Sequence, residues 1–247
     1  MDRLIYTSLT GMRGSMSRQT AIANNLANAQ TPGFRADMAE AQSLWLKGGG
    51  MGTRAMASEE VIGADMRLGT ITETGRDLDV AMQGDALLVV QAPDGDEAYT
   101  RRGDLQLSAS GLVTTGDGHP VQGMQGPLTL PPADAVKIDA DGRVWIVPAG
   151  GDPENPQEVD RIRLATPAGS DIVKGLDNLF RVKDGGILPD DPEARLITRS
   201  IEGSNVSATT ALVEMIEASK SWDTQLRLVS SARDMDNASA NLMQLPR

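Results

Sequence analysis

Apolar residues in the first part of the chain recur at alternating steps of four and three, which places side chains on one face of an α-helix. The pattern covers residues 3–29, breaks only at Gln19, and predicts a helix about 40 Å long at roughly 1.5 Å per residue. Thr31-Pro32-Gly33 is expected to end this helix, because proline disfavours helical geometry in the preceding residue and glycine readily adopts left-handed conformations. The apolar positions are Ile5, Leu9, Met12, Met16, Ala23 and Leu26.

The helical spacing returns after Gly203 and predicts a second amphipathic helix of about 35 residues, about 50 Å long. Its pattern slips near Ala232. Ser204 or Asn205 is expected to cap the first turn, because a side-chain oxygen there can accept a backbone hydrogen bond. The positions on its narrow face are Leu212, Met215, Ser219, Trp222, Leu226 and Val229.

Between residues 68 and 200 the apolar period changes to two, which is typical of β-strands. Turn pairs such as Asp94-Gly95 and Asp141-Gly142 separate the short runs and predict an antiparallel arrangement. Residues 36–67 contain a short helical hint at 39–46 and then a glycine-rich run, so they are interpreted as a flexible or extended connector. The strand candidates include residues 87–90, 105–107, 136–138, 144–147 and 162–164.

These patterns predict a mainly β fold, in which an antiparallel β domain of short strands is flanked by long N- and C-terminal α-helices. Each helix has an apolar face too narrow for the β domain alone to cover it, so we expect the two helices to pair as a coiled coil on assembly. The alternative, that each stripe is the core-facing side of a domain helix, stays open. The expected divisions are 1–35 for the first helix, 36–67 for the connector, 68–200 for the β domain and 201–247 for the last helix.

The amino-acid composition excludes several classes of function. The 247 residues include no cysteine, which excludes disulfides, thiolate catalysis and metal sites built on sulfur. The net charge of −11 argues against nucleic acid or an anionic membrane as the main partner, and no run approaches the roughly 18 apolar residues of a spanning helix. The acidity is concentrated in residues 41–200, which hold 15 basic and 25 acidic groups.

Candidate chemistry is weak throughout the sequence. The single histidine, His119, lies in a turn-like stretch, and no Gly-x-Ser-x-Gly elbow accompanies it. The glycine run at 48–52 is followed by Thr53-Arg54 instead of the Gly-Lys-Ser/Thr of a phosphate loop. Asp139-Ala140-Asp141-Gly142 lacks the spacing of a calcium loop. We therefore predict no enzyme and no catalytic, cofactor or metal site.

Several motifs resemble those of the bacterial flagellar rod and hook axial proteins, across almost the whole chain and in the same order. The opening residues 1–7 look most like the proximal rod member of that family. The last helix departs modestly from the family pattern, because it carries Lys220-Ser221-Trp222-Asp223 where an Arg, an aromatic residue and a Glu are usual. The motifs are Asn24-Asn25-Leu26-Ala27-Asn28, Thr31-Pro32-Gly33-Phe34-Arg35, Leu78-Asp79-Val80-Ala81, Tyr99-Thr100-Arg101-Arg102-Gly103-Asp104, Gly111-Leu112-Val113, Gly118-His119-Pro120-Val121-Gln122-Gly123, Glu202-Gly203-Ser204-Asn205-Val206 and Glu214-Met215-Ile216.

The resemblance implies a structural subunit of the periplasm-spanning rod of the flagellar basal body, stacked helically with other rod proteins or with its own copies. It also implies export through the flagellar type III apparatus, and the opening residues show no cleavable signal peptide. A distal rod protein is the alternative within the family, and a hook protein is less favoured because hook proteins are usually longer. A non-flagellar β-domain binding module is the alternative outside it.

The expected assembly interface combines the two helical faces with three asparagines near the end of the first helix. The asparagines are expected to make polar contacts there, and Pro32-Gly33 is expected to set the direction in which the chain continues. The predicted interface residues are Ile5, Leu9, Met12, Met16, Asn24, Asn25, Leu26, Asn28, Leu212, Met215, Trp222, Leu226 and Val229.

Overall fold

The structure, a computed structural model, describes residues 2–45 and 55–243, and for residues 2–8, 10, 40–45, 55–62, 236 and 239–243 it describes the backbone alone. The chain divides into two compact units. The helical unit comprises Met1–Ala29, Ala36–Asp65 and Val206–Arg247, and the β unit comprises Gln30–Arg35 and Met66–Asn205.

The helical unit contains the long helices α1 (Asp2–Ala27) and α2 (Ala208–Met243) and the strands β1 (Asp37–Trp45) and β2 (Ala55–Ala64). The two helices pack against each other, and α1 also packs against both strands. β1 and β2 pair antiparallel, with Asp37 opposite Ala64 and Trp45 opposite Ala55.

The strand pair lies in the segment interpreted from sequence as a flexible or extended connector with a helical hint at 39–46. That run is too short to hold a helix on its own, since isolated helices below about 12 residues are marginal in water. The observed strand β1 is instead held at its first residue by the side chain of Asn25, which bonds both backbone groups of Asp37. The glycine-rich residues 48–52 lie outside the described part of the chain.

The β unit is built from short strands, and every pairing described within it is antiparallel. Its largest sheet has five strands in the order β14-β5-β6-β16-β15, and a second sheet has the order β11-β12-β13. The strands are β3 (Ile71–Glu73), β4 (Val80–Met82), β5 (Leu87–Gln91), β6 (Glu97–Thr100), β7 (Leu105–Leu107), β8 (Val113–Thr115), β9 (Gln122–Gly123), β10 (Gly126–Pro127), β11 (Ala133–Ile138), β12 (Arg143–Pro148), β13 (Gln157–Arg161), β14 (Leu164–Ala165), β15 (Ile172–Lys174), β16 (Phe180–Val182), β17 (Leu196–Thr198) and β18 (Ser200–Glu202).

One hydrophobic core joins the sheets of the β unit. Leu88 and Val90 of β5, Leu105 of β7, and Val144 and Ile146 of β12 are all buried in it. The alternation along β12 between buried and partly exposed positions follows the period of two in the sequence. This core holds in place the strands that carry the sequence motifs at residues 78–81 and 99–104.

The predicted fold class, mainly β with short antiparallel strands and a long helix at either end, is confirmed. The start of α2 is a correction, because neither Ser204 nor Asn205 caps it. The cap is Ser207, whose Oγ accepts a hydrogen bond from the backbone N–H of Thr210 at 3.4 Å. The helix starts later than expected because the backbone N–H groups of Gly203 and Asn205 donate to the carbonyls of Thr70 and Phe34, at 2.8 and 3.3 Å, instead of entering the helix.

Candidate assembly interface

The contact between α1 and α2 is made by small and polar side chains. Ser15 and Gln225 meet directly: the Gln225 Nε2 donates to the Ser15 Oγ at 3.0 Å, and the Ser15 Oγ lies 3.3 Å from the Gln225 Oε1. Gly14 and Ala218 are buried beside them. A cavity of about 350 Å³ between the helices is lined by Gly11, Gly14, Ser15, Arg18, Glu217, Ala218, Ser221 and Gln225.

The inward face of α2 follows a heptad spacing. Ala211 and Ala218 are buried, and Gln225 and Ala232 continue the series at the same seven-residue step, each partly buried. Such a step is the signature of helices that wrap around each other with 3.5 residues per turn. The intervening positions Met215, Trp222 and Val229 are also partly buried.

Four of the large side chains expected to pair the helices are instead exposed. The exposed fractions are 43% for Leu9, 62% for Met16, 49% for Leu212 and 44% for Leu226. The face of α2 toward α1 keeps the predicted positions Met215, Trp222 and Val229, but Ala211, Ala218 and Gln225 are more buried than their predicted neighbours Leu212, Ser219 and Leu226. Small residues such as alanine let the helix axes approach more closely than large residues do. The contact of the predicted residues with a neighbouring subunit stays a prediction. Of the other predicted positions, Met12, Leu26, Met215, Trp222 and Val229 are partly buried, and the side chain of Ile5 lies outside the described residues.

The three predicted asparagines make contacts within the helical unit. Asn25 accepts a hydrogen bond from the Asp37 N–H at 2.7 Å and donates to the Asp37 carbonyl at 2.9 Å, as a neighbouring strand would. Asn24 donates to the Asp37 carboxylate, and Asn28 donates back to the Asn24 carbonyl at 2.9 Å. These amides hold β1 against the end of α1, and their role between subunits stays a prediction.

A second site, inside the β unit, brings together three motifs that are far apart in sequence. Glu202 lies between two arginines: its Oε1 is 2.7 Å from Arg35 Nη1, and its Oε2 accepts hydrogen bonds from Arg101 Nε and Nη2 at 2.8 and 2.6 Å. All three side chains are buried. We call Arg35, Arg101 and Glu202 the Glu202 cluster.

Arg101 is the more completely satisfied of the two arginines. Its Nη2 also donates to the Met82 carbonyl at 2.8 Å, and its Nη1 donates to the carbonyls of Gly84 and Ala86 at 2.6 and 2.7 Å. Burial lowers the pKa of Arg101 below its usual value, and the Glu202 carboxylate opposes that shift. Arg35 depends more heavily on Glu202, because its Nε has no hydrogen-bond partner among the described residues.

Backbone groups also form hydrogen bonds with the residues of the Glu202 cluster. The Gly33 N–H donates to the Glu202 carbonyl at 2.7 Å, and the Gly69 N–H donates to Glu202 Oε1 at 2.8 Å. The Lys174 Nζ donates to the Arg35 carbonyl at 2.7 Å and lies 3.6 Å from the centre of the Phe34 ring. Residues 30–35 are thereby an integral part of the β unit.

Sequence reasoning missed the small residues of the helix contact and the Glu202 cluster. The seven-residue spacing of Ala211, Ala218 and Ala232 was a usable signal for the first. For the second, the three charged residues lay inside recognised motifs, but nothing in the sequence indicated that positions 35, 101 and 202 meet.

The described residues offer neither a metal site nor a membrane-spanning helix. In that part of the chain no group of His, Cys, Asp or Glu side chains is arranged to hold a metal ion. Nor does either described helix combine the length and apolar character needed to cross a membrane.

Three family models match the chain in the order of its motifs. "Flagella basal body rod protein" matches residues 5–35, "Flagellar hook protein FlgE/F/G D1 domain" matches residues 81–146, and "Flagellar basal body rod FlgEFG protein C-terminal" matches residues 198–242. The model for residues 5–35 covers most of α1, and the model for residues 198–242 covers most of α2. Each of the three models contains one residue of the Glu202 cluster.

Full-length relatives agree with these models. The flagellar basal-body rod protein FlgF of Salmonella typhimurium and that of Escherichia coli are each 35% identical over 251 residues, covering 99% of this chain and 100% of the relative. The basal-body rod protein FlgG of Bacillus subtilis is 29% identical, covering 98% of this chain and 99% of the relative. The chain therefore belongs to the family of flagellar basal-body rod proteins that includes FlgF.

Proposed function

We propose that this structural subunit of the flagellar basal-body rod joins its neighbours through the large apolar side chains that α1 and α2 leave exposed. The single observation that carries the proposal is that different residues of the two helices are buried and exposed. Small residues make the contact within the chain, whereas Leu9, Met16, Leu212 and Leu226 remain in water. Val213, Ile216, Leu228 and Met235 of α2 are exposed as well.

The energetics favour covering these side chains. Burying one large aliphatic side chain contributes roughly 1.5–3 kcal/mol, so several along two helices can offset the entropy lost on association. Monomeric proteins rarely expose such a row without using it as an interface. A head-to-tail contact between unlike surfaces that does not close into a ring generates a helical stack, which is the geometry a rod requires.

As a rod protein the chain assembles with other axial flagellar proteins, and the proposal extends to particular partners. We propose a proximal position in the rod, supported by the higher identity to FlgF than to FlgG. Contacts with copies of itself and passage through the type III export apparatus belong to the same proposal, as does the pairing of α1 and α2 with further helices as a coiled coil. The proposed role is wholly structural, without catalysis.

Replacing Leu226 with Asp tests the interface. The carboxylate would be buried against an apolar neighbour, so we expect the variant to be absent from purified basal bodies while its β unit stays folded by circular dichroism. The matched control is Thr224→Asp, which places the same charge at an exposed polar position on another face of α2. Basal bodies that contain the Leu226→Asp protein at the normal level would contradict the proposal.

A further inference from the structure

The turn between β15 and β16 exposes a leucine. Leu176 is fully exposed, whereas Leu179, three residues later, is buried in the β unit. Positions of this kind usually hold glycine, proline, asparagine, aspartate or serine, because these residues favour the backbone of a turn. Leucine has no such advantage, so the fold of the β unit does not explain an apolar side chain at this position. We call residues 175–178 the Leu176 turn.

Hydrogen bonds fix the backbone of the Leu176 turn. The Gly175 N–H donates to the Leu179 carbonyl at 2.8 Å, and the Asn178 N–H donates to the Gly175 carbonyl at 3.1 Å. The Asp177 carboxylate accepts a hydrogen bond from the Leu179 N–H at 3.2 Å. Leu176 therefore projects from an ordered support. Covering it costs little backbone entropy, since a surface that is already ordered loses less freedom on binding.

A cleft of about 410 Å³ lies beside β11 and β12 in the same unit. Trp145 and Val147 alternate along β12 with residues of the core, so their side chains face away from it. Pro153 and Pro156, from the connection between β12 and β13, line another part of the cleft. Apolar pockets of roughly 300–1,000 Å³ hold whole small molecules, so a cleft of this volume has room for a leucine side chain. We call it the Trp145 cleft.

The charges around the Trp145 cleft and the Leu176 turn are complementary. Lys137 of the cleft is 72% exposed, whereas the carboxylate that it pairs with is 37% exposed. Arg199 is likewise more exposed than its carboxylate partner, so the cleft presents its cations to the solvent. Beside the turn the order is reversed: Asp94 is more exposed than Arg181, which it approaches to 3.7 Å and which also pairs with Asp177. A cationic rim would thus meet acidic surroundings, which favours the encounter and helps to fix its register.

We propose that the Leu176 turn of one copy of this chain inserts its leucine into the Trp145 cleft of the next copy in the rod. This inference rests on the proposed function, in which copies of the chain contact one another. Because the turn and the cleft are different surfaces of one β unit, the contact is head-to-tail and can repeat from copy to copy without closing into a ring. It adds a contact between β units to the one proposed for the exposed faces of α1 and α2.

Site-directed crosslinking in assembled rods tests this contact, and the chain has no native cysteine to interfere. Leu176→Cys and Ala135→Cys, the latter in the wall of the cleft, are produced as separate chains in the same cells. Purified basal bodies are treated with a short bismaleimide. A dimer on a denaturing gel that needs both variants then joins the turn of one chain to the cleft of another.

We expect this dimer in the mixed rods and from neither variant alone. Met124→Cys, at an exposed apolar position between β9 and β10, replaces Leu176→Cys as the matched control and should give none. Rods that contain both variants at the normal level without the dimer would overturn the inference and leave the proposed role of α1 and α2 untouched. An equally strong dimer with Met124→Cys would overturn it as well, because the crosslink would not be specific to the turn.

A competition experiment tests whether the contact contributes to assembly. When the parent chain and Leu176→Asp are produced in equal amounts, we expect the parent to outnumber the variant at least about tenfold in basal bodies, because the carboxylate would enter an apolar cleft. Leu176 is fully exposed, so the variant should keep the urea midpoint of the parent, and Ile187→Asp, at another exposed apolar position, should be incorporated like the parent. Equal incorporation of Leu176→Asp would contradict the proposal. Leu226→Asp changes the helical unit alone, so each proposal can fail separately.

Discussion

Gly33 shows how a single position serves two purposes. The predicted helix stop at Thr31-Pro32-Gly33 is wrong in position, because α1 already ends at Ala27; Gly33 nevertheless takes a positive φ of 67°, and its N–H bonds the Glu202 carbonyl. A Cβ added there would lie 2.3 Å from the backbone carbon and oxygen of Arg101. The glycine is therefore required for close approach of two chain segments as well as for its backbone angle, and only the second requirement was visible in the sequence.

Gly33→Ala is expected to lower the free energy of unfolding of the β unit by about 2–5 kcal/mol, measured by urea denaturation. Roughly 1–2 kcal/mol comes from the left-handed backbone and roughly 1–3 from the steric overlap. Gly75→Ala separates these terms, because Gly75 has a φ of 76° but open space around it. Equal losses for the two variants would show that the overlap relaxes without cost.

At the scale of elements, strands were easier to predict than helix contacts. Residues 87–90 and 105–107 coincide closely with β5 and β7, because alternation and turn glycines are local signals. The run 162–164 instead reaches β14 only at Leu164, and Ile162 forms an isolated bridge to Gly123. On α2, three of the six predicted positions are partly buried, and the other three are exposed beside a more buried neighbour, because hydrophobicity selects the largest side chains and close helix packing selects the smallest.

The β15–β16 hairpin carries a pH-dependent stabilisation at its turn. Asp177 accepts hydrogen bonds from Arg181 Nη2 at 2.7 Å and Nη1 at 3.1 Å and from the Leu179 N–H at 3.2 Å. The Arg181 hydrogen bonds hold the pKa of Asp177 below its usual value. A lowered carboxylate pKa stabilises the folded state above the unfolded value, near pH 4, and this contribution is lost as pH falls through the folded one.

Asp177→Asn is thus expected to destabilise the β unit at pH 6 and to differ progressively less from the parent chain as the pH falls below about 4. Urea midpoints at the two ends of that range provide the measurement. Asp184→Asn, at an exposed turn residue after β16, controls for the loss of one negative charge. A penalty for Asp177→Asn that stays constant with pH would contradict the assignment to the Arg181 contact.

At the scale of the whole molecule, the sequence separates an acidic middle from less charged ends. The structure likewise divides the chain into a β unit and a helical unit. The acidic residues 41–200 fall largely in the β unit, and the less charged ends form the helices. The family resemblance on these motifs was confirmed by relatives matched along nearly the entire chain. Long-range placement could not be predicted, because the contact of Glu202 with Arg35 and Arg101 spans 167 and 101 residues.

Thiol labelling of single cysteines in isolated subunits and in purified rods tests the central claim most directly. A cysteine at Leu226 should react rapidly with a maleimide in the isolated chain and become protected in the rod, because the neighbour covers it. A cysteine at Ala218 should be protected in both, since α1 already covers that position. Equal reactivity of the Leu226 cysteine in subunit and rod would contradict the account.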